Sequence, residues 1–267
     1  MSKKRIASVL LLTAFAATVM ADVRGILTKH DGAEVRGTVR WQPVQKQYVV
    51  TIKQGNLDVT VNVRAAEVAS VRVAPPPGWE NIVKEIREGR GAAAVPRLEN
   101  IVKQYSMLQY DVVAGTYLAR IHMSDKRPAD ALRICEAIIA SKPDAGTTSD
   151  LAPLYWEAMM ATGKTAKLEP AIEEAIRSAP REIAAHAYIL RGDMLRAENR
   201  TRDALKDGYL RTILMFRDAR RVQAEALFKA AQAHDALQEV QYAERMRQSL
   251  LANFPDSEFA KQLRGND

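Results

Sequence analysis

The stretch Arg221 to Leu263, RVQAEALFKAAQAHDALQEVQYAERMRQSLLANFPDSEFAKQL, constrains the fold more than any other part of the chain. Leu227, Ala230, Ala231, His234 and Leu237 recur at three- and four-residue steps, which places them on one stripe of a helix. Ala243, Met246, Leu250 and Phe254 do the same after a short polar turn. Small residues at Ala230, Ala231 and Ala243 let two helix backbones approach, and Leu227, Leu250 and Phe254 fill the space beside them. Pro255 ends the second helix, because proline lacks an N–H and disfavours helical geometry in the residue before it. Asp256 or Ser257 then caps a last helix through Leu263.

Weaker copies of this unit run back to about residue 79. Helices are expected over 79–88 and 93–105, 109–123 and 129–141, 150–161 and 167–178, 182–198 and 202–216, before the signature pair. Gly89-Arg90-Gly91 and Gly163 mark turns within pairs, and Pro143 and Pro180 close units. Each pair buries its apolar face only against its neighbours, so several are needed for stability.

This pattern resembles the tetratricopeptide repeat (TPR) family, whose unit of about 34 residues has a small residue near position 8, Ala near 20 and Pro near 32. Ala231, Ala243 and Pro255 fit that spacing. Gly192 and Ala204 fit it one unit earlier, with Tyr188 at the aromatic position 4, and Ala119, Ala131 and Pro143 fit it two units before that. The wording ANFPDSEFAKQL is similar to the last repeat of exported members, such as the Tol–Pal-associated coordinator proteins and the lipoproteins of outer-membrane assembly. The resemblance covers roughly 79–264. It implies a mainly α fold, a right-handed α-solenoid of about five hairpins whose first helices line a concave groove. It also implies that residues at positions 2, 5, 9 and 12 of a unit contact a partner. On the two best-aligned units these are His186, Ile189, Asp193 and Arg196, then Glu225, Phe228, Gln232 and Asp235. Departures from the pattern are Arg191 where the family has Leu, Gly208 where it has an aromatic, and a spacing of Ala204 to Ala243 that implies an enlarged turn.

Residues 22–74 have a different period. Val35, Gly37, Val39 and Trp41 alternate with polar neighbours, as do Tyr48, Val50 and Ile52, and Leu57, Val59, Val61 and Val63. Pro43 and Gly55 mark turns. With Val23 to Thr28 and Ala69 to Val73 this makes five strands, and Ala65 to Val68 forms one helical turn before the last. The arrangement resembles a small SH3-like β-barrel. Pro75-Pro76-Pro77-Gly78 is a stiff linker to the repeats at 79–264. Trp79 packs on the first helix or docks at the junction.

Lys3, Lys4 and Arg5 followed by the apolar run Ile6 to Met20 read as a signal peptide over 1–21. A small-x-small site at Val19-Met20-Ala21 points to cleavage after Ala21, and retention as an anchor is the alternative. Loss of those three cations lowers the formal charge from +7 to +4. The expectation is an exported, periplasmic or secreted protein with no membrane span in the mature chain. The lone Cys135 forms no internal disulfide and sits inward as a small hydrophobe.

The four histidines, His30, His122, His186 and His234, share no metal-ligand spacing, and His122 with Asp125 reads as a helix-end cap. No nucleophile elbow, zinc-protease helix, phosphate loop or C-x-x-C is present, so neither catalysis nor a cofactor is expected. Arg211, Arg217, Arg220 and Arg221 read as ordinary charge near a helix end. The cations of 22–75, among them Arg36, Arg40 and Lys53, lack interleaved aromatics, so no nucleic-acid partner is expected. Two functions stay open. One is a non-catalytic scaffold that binds envelope proteins in the groove. The other is a cell-wall or glycan-binding module, with Trp41 and Tyr48 as the aromatic candidates.

Overall fold

The computed structural model describes residues 20–265. All but Met20 and Ala21 of the expected signal peptide lies outside them. Five antiparallel strands come first: β1 (Val23–Lys29), β2 (Glu34–Gln42), β3 (Gln47–Gln54), β4 (Leu57–Arg64) and β5 (Val68–Val73), in the order β4-β3-β2-β1-β5. Gln54 pairs with Leu57, so Gly55 and Asn56 form a two-residue hairpin turn. Gly55 has φ of 61°, the left-handed backbone that the first position of such a turn demands. A 3₁₀ turn, Ala65–Glu67, carries the chain back so that β5 pairs with β1.

Two expectations for this region change. No pairing joins the edge strands β4 and β5 among the described residues, so the structure is an open five-stranded sheet rather than a demonstrated barrel. Leu57 and Val59, expected to face inward with Val61 and Val63, are exposed. Burial along the β3–β4 hairpin falls from Tyr48, Val50 and Val63 towards its tip, which projects beyond the packed part of the sheet.

Helices follow in pairs: α1 (Trp79–Arg87) with α2 (Gly91–Gln104), α3 (Tyr110–Ser124) with α4 (Pro128–Ser141), and, after the short α5 (Ala145–Thr148), α6 (Leu151–Ala161) with α7 (Leu168–Ser178). Next, α8 (Arg181–Ala197) pairs with a bent helix made of α9 (Thr201–Ala204), a π turn (Leu205–Tyr209) and α10 (Leu210–Met215). Finally α11 (Arg220–Ala236) pairs with α12 (Val240–Asn253), and α13 (Glu258–Gly265) closes the array. Ser257 caps α13, its hydroxyl accepting from the Ala260 N–H at 3.1 Å.

One device closes all five first helices. Gly89, Lys126, Gly163, Asn199 and Gln238 each have positive φ. The residue after each donates its N–H to the carbonyl five residues back: Arg90 to Glu85, Arg127 to His122, Lys164 to Met159, Arg200 to Leu195 and Glu239 to His234, at 2.8–2.9 Å. This is the left-handed C-terminal closure that satisfies carbonyls the helix would otherwise leave bare. Three of the five positions are not glycine, which hid them in the sequence.

The unusual spacing between the last two units has a different origin from the one expected. The turn before α11 is only Phe216–Ala219, so the added residues lie within helices, one of them in the π turn, and α11 matches α8 at 17 residues. The π turn inserts one residue, so Tyr209, not residue 208, fills the aromatic position and is fully buried. Gly208 lies against Gly192, where an added Cβ would meet the Gly192 Cα at 2.6 Å. Arg191 replaces an apolar contact by an ion pair with Glu173 of α7. His122 does not cap its helix: it is buried, and neither ring nitrogen has a partner among the described residues.

The Pro-rich linker joins parts that share a core. One buried cluster runs from Leu27, Val39 and Tyr48 of the sheet through α1–α7 to Leu190. Two smaller ones follow, rich in alanine, around α8–α11 and at α11–α13. Trp79 packs edge-on against Tyr110 and Tyr117 of α3. Cys135 is buried, and burial pushes its thiol up to about 12.

The sheet docks on the loop between α2 and α3. The Tyr48 hydroxyl donates to the Met107 carbonyl at 3.1 Å, and burial, with the nearby Asp111 charge, keeps that hydroxyl protonated. Met107 and Gln109 hold φ of 65° and 72°. The buried Asp111 carboxylate holds this loop, accepting from the Met107 N–H at 2.7 Å, the Val112 N–H at 2.8 Å and the Lys142 ammonium at 2.7 Å.

Candidate functional site

The first helices α3, α6, α8 and α11 lie side by side along the array. Along α8, His186, Ile189, Asp193 and Arg196 are spaced by three and four residues and so share one stripe. On α11, Glu225, Lys229 and Gln232 share another. The two stripes meet. Lys229 Nζ lies 2.5 Å from Asp193 Oδ2 and 2.7 Å from Glu225 Oε1, and the Arg196 guanidinium donates to the Gln232 side-chain oxygen at 3.3 Å. Tyr209, brought under α8 by the π turn and the Gly192–Gly208 contact, donates its hydroxyl to Asp193 Oδ1 at 2.8 Å.

The ionisation of this cluster follows from its burial. Burial works against the Lys229 ammonium, but the Glu225 and Asp193 carboxylates outweigh it and hold its pKa above the ordinary value. Burial pushes the Tyr209 hydroxyl far up, and the Asp193 charge adds to this, so it stays a donor. Burial lowers the His186 pKa against the pull of Glu225 and Glu182, so the ring is neutral at pH 7.

Glu157 on α6 differs from the others. It lines two adjoining cavities, and no hydrogen bond or ion pair engages its carboxylate among the described residues. Burial, and then the Glu225 charge, push its pKa up to about 7, with Lys229 and Arg120 pulling the other way. The more open cavity, of about 290 Å³, is lined by Arg120, Asp150, Glu157, Glu182, His186 and Arg221 among others. The smaller one, of about 10 Å³, shares Pro153, Glu157 and His186 and reaches Trp156, Asp193, Glu225 and Lys229. Trp156 is fully buried, and its indole N–H has no acceptor among the described residues.

The eight groove residues expected from the repeat pattern divide into three groups. His186, Asp193 and Glu225 meet in the charged cluster, and Arg196 and Gln232 form a bridge beside it. Ile189 is not exposed: only 2 % of its surface is accessible, because it packs into the core that α8 shares with α11. Phe228 and Asp235 turn away from the cluster. Phe228 packs 5.4 Å from the Phe259 ring of α13, and Asp235 pairs with Arg247 of α12.

Lys229, Glu157, Trp156, Arg120 and Tyr209 are the residues that repeat positions did not reveal. Lys229 was within reach, since it stands four residues after Glu225 in the favourable order for a helical ion pair. Glu157 and Trp156 had no such signal, because none of the matched repeat positions falls in α6. Three of the four arginines near the α10–α11 join have separate partners: Arg211 pairs with Asp207 at 3.2 Å, Arg220 covers the Phe254 ring, and Arg221 faces Glu182 at 3.8 Å.

No family model and no curated protein matches the chain. Among solved structures, it is similar to MamA, at 15% identity over 67% of this chain and 95% of that one, with a TM-score of 0.45. It is also similar to TTC0263, a thermophilic TPR protein in Thermus thermophilus. There the identity is 18%, over 69% of this chain and 93% of that one, with a TM-score of 0.48. Likeness at this distance bears no weight for function. No helix among the described residues is long and apolar enough to cross a membrane.

Proposed function

We propose that the protein is a non-catalytic, TPR-like interaction scaffold of the cell envelope, exported by its N-terminal segment, that holds a partner protein along the face formed by α3, α6, α8 and α11. The observation that carries this reading is the charged cluster of Glu157, His186, Asp193, Glu225 and Lys229. It draws side chains from three successive first helices onto one surface. A solenoid places such residues at helical spacing over a long face, which suits an extended segment with both polar and apolar contacts.

The glycan reading has less to support it. Sugar binding wants exposed aromatic platforms, whereas Trp41 and Tyr48 are buried and packed on each other at 4.8 Å.

Site-specific photocrosslinking in intact cells tests the scaffold reading. A crosslinking residue at Arg196 or Gln232 is expected to trap a defined set of envelope proteins, and the same residue at exposed Arg133 on α4 to trap none of them. Equal capture at both places, or none at the groove positions, would overturn the proposal.

A further inference from the structure

We propose that the pocket between α3, α6, α8 and α11 receives a lysine or arginine side chain of the partner protein, with the Glu157 carboxylate as its anchor. This rests on the scaffold reading and names the chemistry the groove selects.

Charge balance is the first argument. The two adjoining cavities are lined by five carboxylates, Asp150, Glu157, Glu182, Asp193 and Glu225, against three cations, Arg120, Arg221 and Lys229. Lys229 is already committed to Asp193 and Glu225, and Arg221 faces Glu182. His186 is neutral and supplies no further positive charge. Exposed Asp150 and half-buried Glu157 then face the one remaining cation, Arg120, so the surplus is negative, and no hydrogen bond or ion pair engages the Glu157 carboxylate among the described residues. A carboxylate taken out of water and left unpaired is costly. A guanidinium or ammonium entering beside it supplies charge-assisted hydrogen bonds that offset that cost.

The cavity geometry is the second argument. Pro153, Glu157 and His186 line both cavities, and the buried Trp156 indole, whose N–H has no acceptor among the described residues, lines the smaller one, so it reports on what binds at Glu157 without touching it. A pocket of about 290 Å³ is at the low end of ligand sites and suits one long side chain rather than a larger cofactor.

The site is also sensitive to pH. The groups facing Glu157 are Arg120 from α3, Asp150 before α6, Glu182, His186 and Asp193 from α8, and Arg221, Glu225 and Lys229 from α11. With the Glu157 pKa near 7, its proton must leave before the cation binds. Affinity therefore rises about tenfold from pH 6 to pH 8 and levels off above.

The test is an NMR titration of the isotope-labelled protein, following the Trp156 indole N–H and the His186 ring. The probe is the peptide acetyl-Gly-Gly-Arg-Gly-Gly-amide, with the citrulline peptide as its neutral isostere and putrescine as a free amine. The arginine peptide is expected to shift both resonances saturably, about tenfold more weakly at pH 6 than at pH 8, and the citrulline peptide to leave them in place. Glu157→Gln is expected to weaken binding at least tenfold and abolish the pH dependence, with a thermal melt showing that the variant is folded. Equal response to citrulline, no response to arginine, or unchanged binding by the folded variant would overturn the inference. Putrescine matching the peptide would move the site to free amines and overturn its assignment to a protein side chain. If the arginine peptide fails while Arg196 and Gln232 still trap envelope partners, this inference falls and the scaffold stands. If those adducts are lost as well, both fall.

Discussion

Asp111 is a buried carboxylate and Glu157 a half-buried one in the same helical array, and they end in opposite states. Asp111 accepts from two backbone N–H groups and the Lys142 ammonium, and through the loop it holds it fixes the carbonyl on which the sheet docks. Glu157 has no such partner, and burial drives its pKa up to about 7. The difference separates architecture from a site. A buried charge whose hydrogen bonds are met within the chain stabilises one conformation, whereas one left open carries a cost that only a ligand or a proton removes.

The largest expected effect tests the first half of that contrast. Asp111→Ala strands the Lys142 ammonium and two backbone donors, and is expected to cost about 3–5 kcal/mol in a denaturant melt. A loss under about 1 kcal/mol would mean that the pair is ornamental and the contrast empty.

Tyr209→Phe comes next. It removes the hydroxyl that donates to Asp193 and leaves the packing of the ring unchanged, so about 1.5–3 kcal/mol should be lost. Hydrogen exchange should then rise in α8 and α10 but not in α3. An unchanged melt would show that Lys229 alone satisfies Asp193.

Glu157→Gln should act in the opposite direction, stabilising the unliganded protein by about 1–3 kcal/mol at pH 8. The sign follows from the raised pKa. Between the unfolded value of 4.5 and about 7 the folded state holds a proton that the unfolded state has released. The natural chain therefore loses stability as pH rises through that window, and the glutamine variant lacks this loss. The gain should vanish below about pH 4.5, where Glu157 is neutral in both states. A variant less stable than the natural chain at pH 8 would mean that Glu157 is engaged after all.

The smallest effect concerns a position with no part in the groove. Gln238 has φ of 60°, a backbone that costs an L-residue about 1 kcal/mol, and Gln238→Gly should recover about 0.5–1 kcal/mol. Peptide binding should not change, since the C-terminal closure of α11 is architecture of the Asp111 kind.

Much of the helical part was legible in the sequence because its signals are local. The 3.6-residue stripe, Pro255 as a stop, and small residues at Ala231, Ala243 and Gly192 act through chain neighbours and appear in the structure as expected, with Ala231, Ala243 and Leu250 buried. The strands were legible for the same reason. Their period of two holds at Val39, Trp41, Tyr48 and Val50; it misleads at Val49, which is buried although it alternates with them, and at Leu57 and Val59, where the hairpin extends past anything to pack on. The charged cluster was legible only in part. His186, Asp193 and Glu225 stand at repeat positions, whereas Ile189 is buried and Phe228 and Asp235 pack or pair with α13 and α12.

The sequence by itself determined which segments are helices and strands, where the pairs turn and which small residues allow close approach, because each of these rests on interactions between residues near in the chain. Tertiary structure alone decided that the sheet shares a core with the helices, that a π turn sets Tyr209 under Asp193, and that Glu157 stands beside Glu225 and Lys229 with no ion pair among the described residues. Those outcomes depend on how successive helices rotate against one another. The one residue inserted in the π turn changes that rotation locally, and in the sequence it shows only as part of the long Ala204–Ala243 spacing.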